Sequence, residues 1–112
     1  MGKNELLPGT LDMMVLKTLT RGVLHGYAIT QLLRQLSEDI LQVEEGSLYP
    51  ALHRLEAKEL IAPSWELSEK GKRARFYRLT PRGRKHLVAE QSKWDAFSRA
   101  VALILNPVDQ EA

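Results

Sequence analysis

"EEGSLYPALHRLEAKELI" (residues 44–61) is the stretch on which the fold turns. On a wheel at about 100° per residue, Leu48, Leu52, Leu55 and Glu59 share one side of a helix read over 46–59. Gly46, Pro50, His53 and Ala57 lie opposite, bordered by Ser47 and Arg54 on one edge and Tyr49 on the other. Pro50 is read into the first turn, where helical N–H groups lack partners and a proline costs little. The outward side is thus small at its centre and ringed by hydrogen-bonding side chains that no core requires.

Two helices are expected before this one. "LDMMVLKTLT" (11–20) places Leu11, Met14, Val15 and Leu19 on one face, with Thr10 as the expected N-cap. Met13 and Leu16 lie off that face, so this helix is apolar on nearly two sides and calls for a second partner. "YAITQLLRQL" aligns Ile29, Leu32, Leu33 and Leu36, giving a helix from about Gly26 to Ser37. "SEDILQVEEG" (37–46) reads as a polar connector with a short strand at "ILQV".

After residue 59 the pattern changes. "LIAPSWEL" (60–67) and "RARFYRL" (73–79) read as two strands joined by "SEKGK", with Pro63 favouring an edge position for the first. Thr80 as N-cap and Pro81 at the first helical position then open a last helix that runs to Leu105, before Asn106-Pro107. At about 1.5 Å per residue it would be about 37 Å long, more than a domain of this size needs. Leu87, Trp94 and Val101 fall seven apart along it, as do Phe97 and Ile104, a short heptad seam; packing on the chain's own core would give it too, but the spare apolar side of the first helix favours a seam between subunits. The expected dimer interface comprises Leu11, Met13 and Leu16 with Leu87, Trp94, Phe97, Val101 and Ile104.

Three helices, a two-stranded hairpin and a long helix define the expected fold class. It is mainly α with a two-stranded β wing: a winged helix-turn-helix plus a C-terminal dimerisation helix. The expected divisions are a winged-helix domain over 1–80, a dimerisation helix over 81–106 and a flexible tail over 107–112.

Charge supplies the functional direction. The 112 residues carry a net charge of only +2, yet Lys70, Lys72, Arg73, Arg75, Arg78, Arg82, Arg84 and Lys85 crowd one acid-free segment. That leaves eight basic against fourteen acidic residues elsewhere, a basic island on an acidic body. A polar helix face beside a cationic hairpin suits duplex DNA, whose major groove of about 12 Å admits one helix. Ser47 and Tyr49 can bond phosphate oxygens, His53 base or backbone, and Arg54 a phosphate or a guanine edge. Together with Pro50 at the centre of the face, these form the expected reading surface. The wing, with Lys70, Lys72, Arg73 and Arg75, would lie along backbone or minor groove, Gly71 allowing its tight turn.

With these residues in place, the chain resembles the PadR family of bacterial transcriptional regulators. The carrying segments are "GTLDMMVLKTL" (9–19), "LHGYAIT" (24–30), "GSLYPALHRLEAKELI" (46–61) and "RARFYRLTPRGR" (73–84). The resemblance implies a winged-helix repressor acting as a homodimer; two reading helices in successive major grooves of double-stranded DNA, about 34 Å apart, would then call for a near-palindromic operator. It matches the family's recognition-helix residues to Tyr49 and Pro50, its wing residues to Arg75, Tyr77 and Arg78, and its second-helix motif to His25, Gly26 and Tyr27. The single C-terminal helix is that of the family's short branch, some members of which bind flat aromatic compounds between subunits near a tryptophan. Trp94 is the residue here that could stack such an effector, or simply pack in the seam.

Other classes are poorly served. The chain has no cysteine, which fits a reducing cytoplasm and excludes disulfides and thiol chemistry; a DNA-binding chain there is expected to be nucleoid-associated. His25, His53 and His86 are scattered, without nucleophile–base or metal-ligand spacing, so no enzyme, metal or cofactor is expected. His25 reads as a turn or cap residue. "RGRK" (82–85) has one glycine and is no phosphate loop. No apolar run reaches signal-peptide or membrane-spanning length, "AVALIL" (100–105) being the densest. The rival reading is a winged-helix protein-interaction module that uses the same surfaces to hold another chain.

Overall fold

A computed structural model describes residues 9–108. Helix α1 spans Thr10–Thr18 and ends in a single 3-10 turn at Leu19–Arg21. The short strand β1 is Leu24–His25, followed by α2 (Gly26–Leu36) and α3 (Glu45–Ala57). Strands β2 (Ile61–Leu67) and β3 (Arg73–Leu79) form the hairpin, and α4 covers Pro81–Leu105. The readings that touch residues 1–8 and 109–112, including the end of the tail, lie outside the described residues.

α1 is the hub, because α2, α3 and α4 all pack against it. That position corrects part of the expected dimer interface. Leu11, Leu16 and Leu87 are core residues of the chain itself, with Leu16 at 0% exposure. The second apolar side of α1 is covered by elements of its own chain, which a wheel drawn on one helix cannot show. Thr18, also buried, satisfies its hydroxyl by donating to the Val15 carbonyl at 2.7 Å. The N-cap of α1 is Gly9, in the left-handed region at φ 83°, and Thr10 is the first helical residue.

The sheet has three strands in the order β1-β3-β2, all antiparallel, so the hairpin gains a short third strand that the sequence reading lacked. Two residues are too few to show a period. β2 is an edge strand, as Pro63 suggested. The 37–44 connector holds no strand; Ile40 is exposed there, while Val43 packs against the core. α2 instead ends in a Schellman turn, Asp39 N–H donating to the Arg34 carbonyl at 2.8 Å and Glu38 N–H to that of Gln35 at 3.1 Å.

α3 begins one residue earlier than expected, which moves Pro50 to its sixth position. Its missing N–H therefore deprives the Gly46 carbonyl of a helical donor, so Pro50 lies beyond the first turn in which it is free of cost. The helix is held by its buried side, where Leu48, Ala51 and Leu52 are at 0% exposure and Leu55 at 1%. It closes in a second Schellman turn, Leu60 N–H to the Leu55 carbonyl and Glu59 N–H to that of Glu56, both 2.9 Å. Glu59 takes the left-handed position at φ 61°.

α4 starts where Thr80 and Pro81 dictate: Gly83 N–H donates to Thr80 Oγ1 at 2.9 Å. Thr80 also ties the helix to the end of α3, its hydroxyl donating to the Glu59 carbonyl at 2.8 Å and its N–H to that of Leu60 at 3.2 Å. The first turns of α4 enter the core through Gly83 and Leu87, so the packed unit runs past residue 80. α4 stays beside the start of α1 as far as Trp94 and Phe97 and then leaves the globular part, so that the described chain reaches 64 Å in its longest dimension. Among the described residues, no helix is long and apolar enough to cross a membrane. The fold is a winged helix-turn-helix with a protruding C-terminal helix.

Candidate nucleic-acid interface

The start of α2, the outward side of α3 and the inner face of the hairpin enclose an open groove of about 1320 Å³. The start of α2 is set by His25, whose Nδ1 caps the helix by accepting from Ala28 N–H at 3.1 Å. Its ring packs edge-on against Phe76 with centroids 5.0 Å apart. Gly26 follows, and the Tyr49 hydroxyl lies close over it: a Cβ there would stand 2.8 Å from that oxygen, so a larger residue would require the Tyr49 ring to move. Tyr49 therefore leans from α3 across the first turn of α2, bringing the two helices' polar groups into one groove.

Tyr49, His53, Lys70 and Arg75 line this groove together. Ser47 and Pro50 are exposed on α3 but outside its lining. Arg54 is turned the other way. Its guanidinium grips Asp12 of α1 in a two-pronged pair, Nη2–Oδ1 2.7 Å and Nε–Oδ2 3.2 Å. The hydrogen bond to Asp12 raises the guanidinium pKa further above its ordinary value. The sequence reading that aimed Arg54 at DNA did not foresee this partner, 42 positions away.

The wing is built from strand register. Residues 73, 75, 77 and 79 of β3 share a face with 61, 63, 65 and 67 of β2. Near the helices this face is core, with Ile61 and Tyr77 buried; further out it projects past the core into the groove. Trp65 stands there 55% exposed, with the Arg73 guanidinium 4.9 Å from its ring centre and that of Arg75 at 6.0 Å. Arg75 Nη2 also meets Glu56 Oε2 of α3 at 2.7 Å. Burial raises the phenol pKa of Tyr77 beside it, and the neighbouring Arg75 opposes that shift.

Lys70 and Lys72 sit at the hairpin tip, where Gly71 takes φ 78° and Ser68 N–H donates to the Lys72 carbonyl at 2.7 Å. Among the described residues, neither lysine nor Arg73 has a carboxylate partner. Two exposed aromatic residues line the groove that are not among the expected contacts. Trp65 was read only as a strand former, although its place in the period-2 pattern beyond the core was a signal. Tyr27, 65% exposed at the second position of α2, was noted only within a motif.

A second, smaller cavity of about 390 Å³ lies between the start of α1 and the middle of α4, lined by Met13, Trp94 and Phe97 among others. The Trp94 and Phe97 rings are 6.3 Å apart and tilted by 45°. Phe97, Val101 and Ile104 are exposed along α4, while Met13 and Trp94 are half-buried. Among the described residues, no three His, Cys, Asp or Glu side chains gather as a metal site would require.

A winged helix with polar groups of α3 and cations of the wing around one groove has the shape and charge of a nucleic-acid-binding module. The pattern of the transcriptional regulator PadR-like family matches residues 15–89, and the chain belongs to that family. It is thereby a DNA-binding transcriptional regulator and not an enzyme. It is similar to a transcriptional regulator of Mycobacterium tuberculosis, 38% identical over 77 residues that cover 69% of this chain and 68% of that one. A 79-residue stretch, 70% of this chain, is 50% identical to part of a 37.1 kDa transposon protein of Streptomyces fradiae, of which it covers 21%. Among solved structures, a PadR family transcription regulator of Clostridium difficile superposes with a TM-score of 0.75 at 27% identity, covering 88% of this chain and 100% of that one.

Proposed function

We propose that the chain is a repressor that acts as a homodimer. α3 enters the major groove, presenting Ser47, Tyr49, Pro50 and His53, and the wing sets Lys70, Lys72 and Arg73 on backbone phosphates or in the minor groove. The observation that carries this reading is the groove itself, in which polar groups of α3 and cations of the wing face one space. Arg54 is held by Asp12, so its contribution is first to the seating of α3 on α1.

Pairing uses α4, within the expected dimerisation segment 81–106, together with the start of α1. Met13, Trp94, Phe97, Val101 and Ile104 are the residues of the expected seam that still offer surface. Two α3 helices in successive major grooves would stand about 34 Å apart, which calls for a near-palindromic operator. The cavity beside Trp94 is where a small aromatic effector would stack, favouring a dimer whose reading helices are wrongly spaced.

The test is binding of the purified protein to selected and random duplexes across a salt series, with its mass in solution measured alongside. Neutralising about six phosphates gives a log–log salt slope near −5. A protein-interaction module would show little salt dependence and no preference among duplexes.

A further inference from the structure

Glu56 is out of character with its surroundings. A carboxylate on a surface that receives a polyanion repels it, and Glu56 lines the groove between α3 and the wing. Its Oε1 is buried and lacks a hydrogen-bond partner among the described residues. Burying an acceptor without a donor is unfavourable, so what favours an acid here lies on its other oxygen.

What the acid does gain is a link between the two elements of the site. Its Oε2 holds Arg75 Nη2 at 2.7 Å, and Arg75 borders the Trp65 ring, over which Arg73 is seated at 4.9 Å. The chain of contacts runs from α3 through Glu56, Arg75 and Trp65 to Arg73. Beyond Tyr77 the hairpin has no core beneath it, and Trp65 and Leu67 are exposed. The base of the hairpin is anchored by β1 and by Ile61 and Tyr77, and its outer half is joined to α3 by the Glu56–Arg75 pair.

We propose that Glu56 is a positioning residue for DNA binding. Its ion pair with Arg75 fixes the wing relative to α3, so that Arg73, Lys70 and Lys72 meet phosphates while α3 occupies the groove. This rests on the reading of α3 and the wing as the DNA-contacting elements. Arg75 then acts inside the protein, as a brace, and the other three cations act on the nucleic acid.

The consequence opposes simple charge counting: removing this negative charge weakens DNA binding. The experiment uses fluorescence anisotropy with a selected duplex on wild type, Glu56→Gln, Arg75→Gln, the double variant, and the exchanged pair Glu56→Arg with Arg75→Glu. Circular dichroism checks that each is folded at the assay temperature. Glu56→Gln is expected to bind about fivefold more weakly, as loss of a part-exposed ion pair allows. The double variant should be no weaker than Arg75→Gln, and the exchanged pair should recover most of the loss. Affinity of Glu56→Gln equal to or above wild type overturns the brace while leaving the DNA reading intact. If Glu56→Gln is poorly folded, the exchanged pair decides, and folded protein binding as weakly as Arg75→Gln overturns the proposal. Wild type that binds no duplex in a salt-dependent way overturns the DNA reading, and the brace with it.

Discussion

Gly83 lies directly against the backbone of Leu60: a Cβ added to Gly83 would stand 2.0 Å from the Leu60 carbonyl oxygen. No rotamer change relieves an overlap with backbone, so the start of α4 would have to lift away from the end of α3. Gly83→Ala is therefore expected to destabilise the protein by about 3 kcal/mol or more, seen as a lower denaturation midpoint. A midpoint close to wild type would show that α4 docks differently.

Glu59 points the opposite way. It occupies the left-handed position of the turn that ends α3, where a side chain is strained and glycine is not. Glu59→Gly should raise stability by about 0.5–1 kcal/mol in urea unfolding, with an unchanged slope against urea. Loss of stability would mean that Glu59 makes a contact that outweighs the strain.

Burial holds the Tyr77 phenol above its ordinary value of 10.0. The folded chain thus retains this proton at a pH where the unfolded chain loses it. The associated stability is complete below about pH 10 and is lost as pH rises through the raised native value. Unfolding free energy measured between pH 9 and 11 should fall more steeply for wild type than for Tyr77→Phe. Parallel curves would refute the assignment.

Core and seam residues should separate cleanly. Leu16→Ala removes a fully buried side chain and should cost about 2–5 kcal/mol of stability. Phe97→Glu with Ile104→Glu changes exposed positions of α4 and should leave the fold intact by circular dichroism while shifting the mass in solution from dimer to monomer. A dimer that survives both charges would place the interface elsewhere.

Lys72→Ala and Arg73→Ala should each weaken binding to all duplexes alike and flatten the salt slope by about 0.9, the share of one phosphate contact. Arg54→Ala should instead lower stability by about 0.5–1 kcal/mol, since its half-exposed guanidinium serves Asp12, and Asp12→Ala should cost a similar amount. Independent effects of Arg54→Ala and Asp12→Ala in a double-mutant cycle would show that the pair is not formed in solution.

Much of the architecture is legible in the chain alone, for local reasons. The Thr80–Pro81 pair and the Asn106-Pro107 stop bound α4 because capping is settled within a few residues. The Trp65, Phe76 and Tyr77 strands flank a Gly71 turn whose chemistry is equally short-range. The outward face of α3 follows from leucine spacing, and Tyr49 and His53 are exposed on it, whereas Arg54 turns to Asp12. Leucine spacing says that a helix has an apolar side but not what covers it. Only packing could assign Leu11, Leu16 and Leu87 to the chain's own core, while Phe97 and Ile104 stayed on the surface. Ion pairs are longer-range still: Arg54 finds Asp12 across 42 positions and Arg75 finds Glu56 across 19, and Coulomb attraction acts on separation in space, which no pattern of neighbours along the chain encodes.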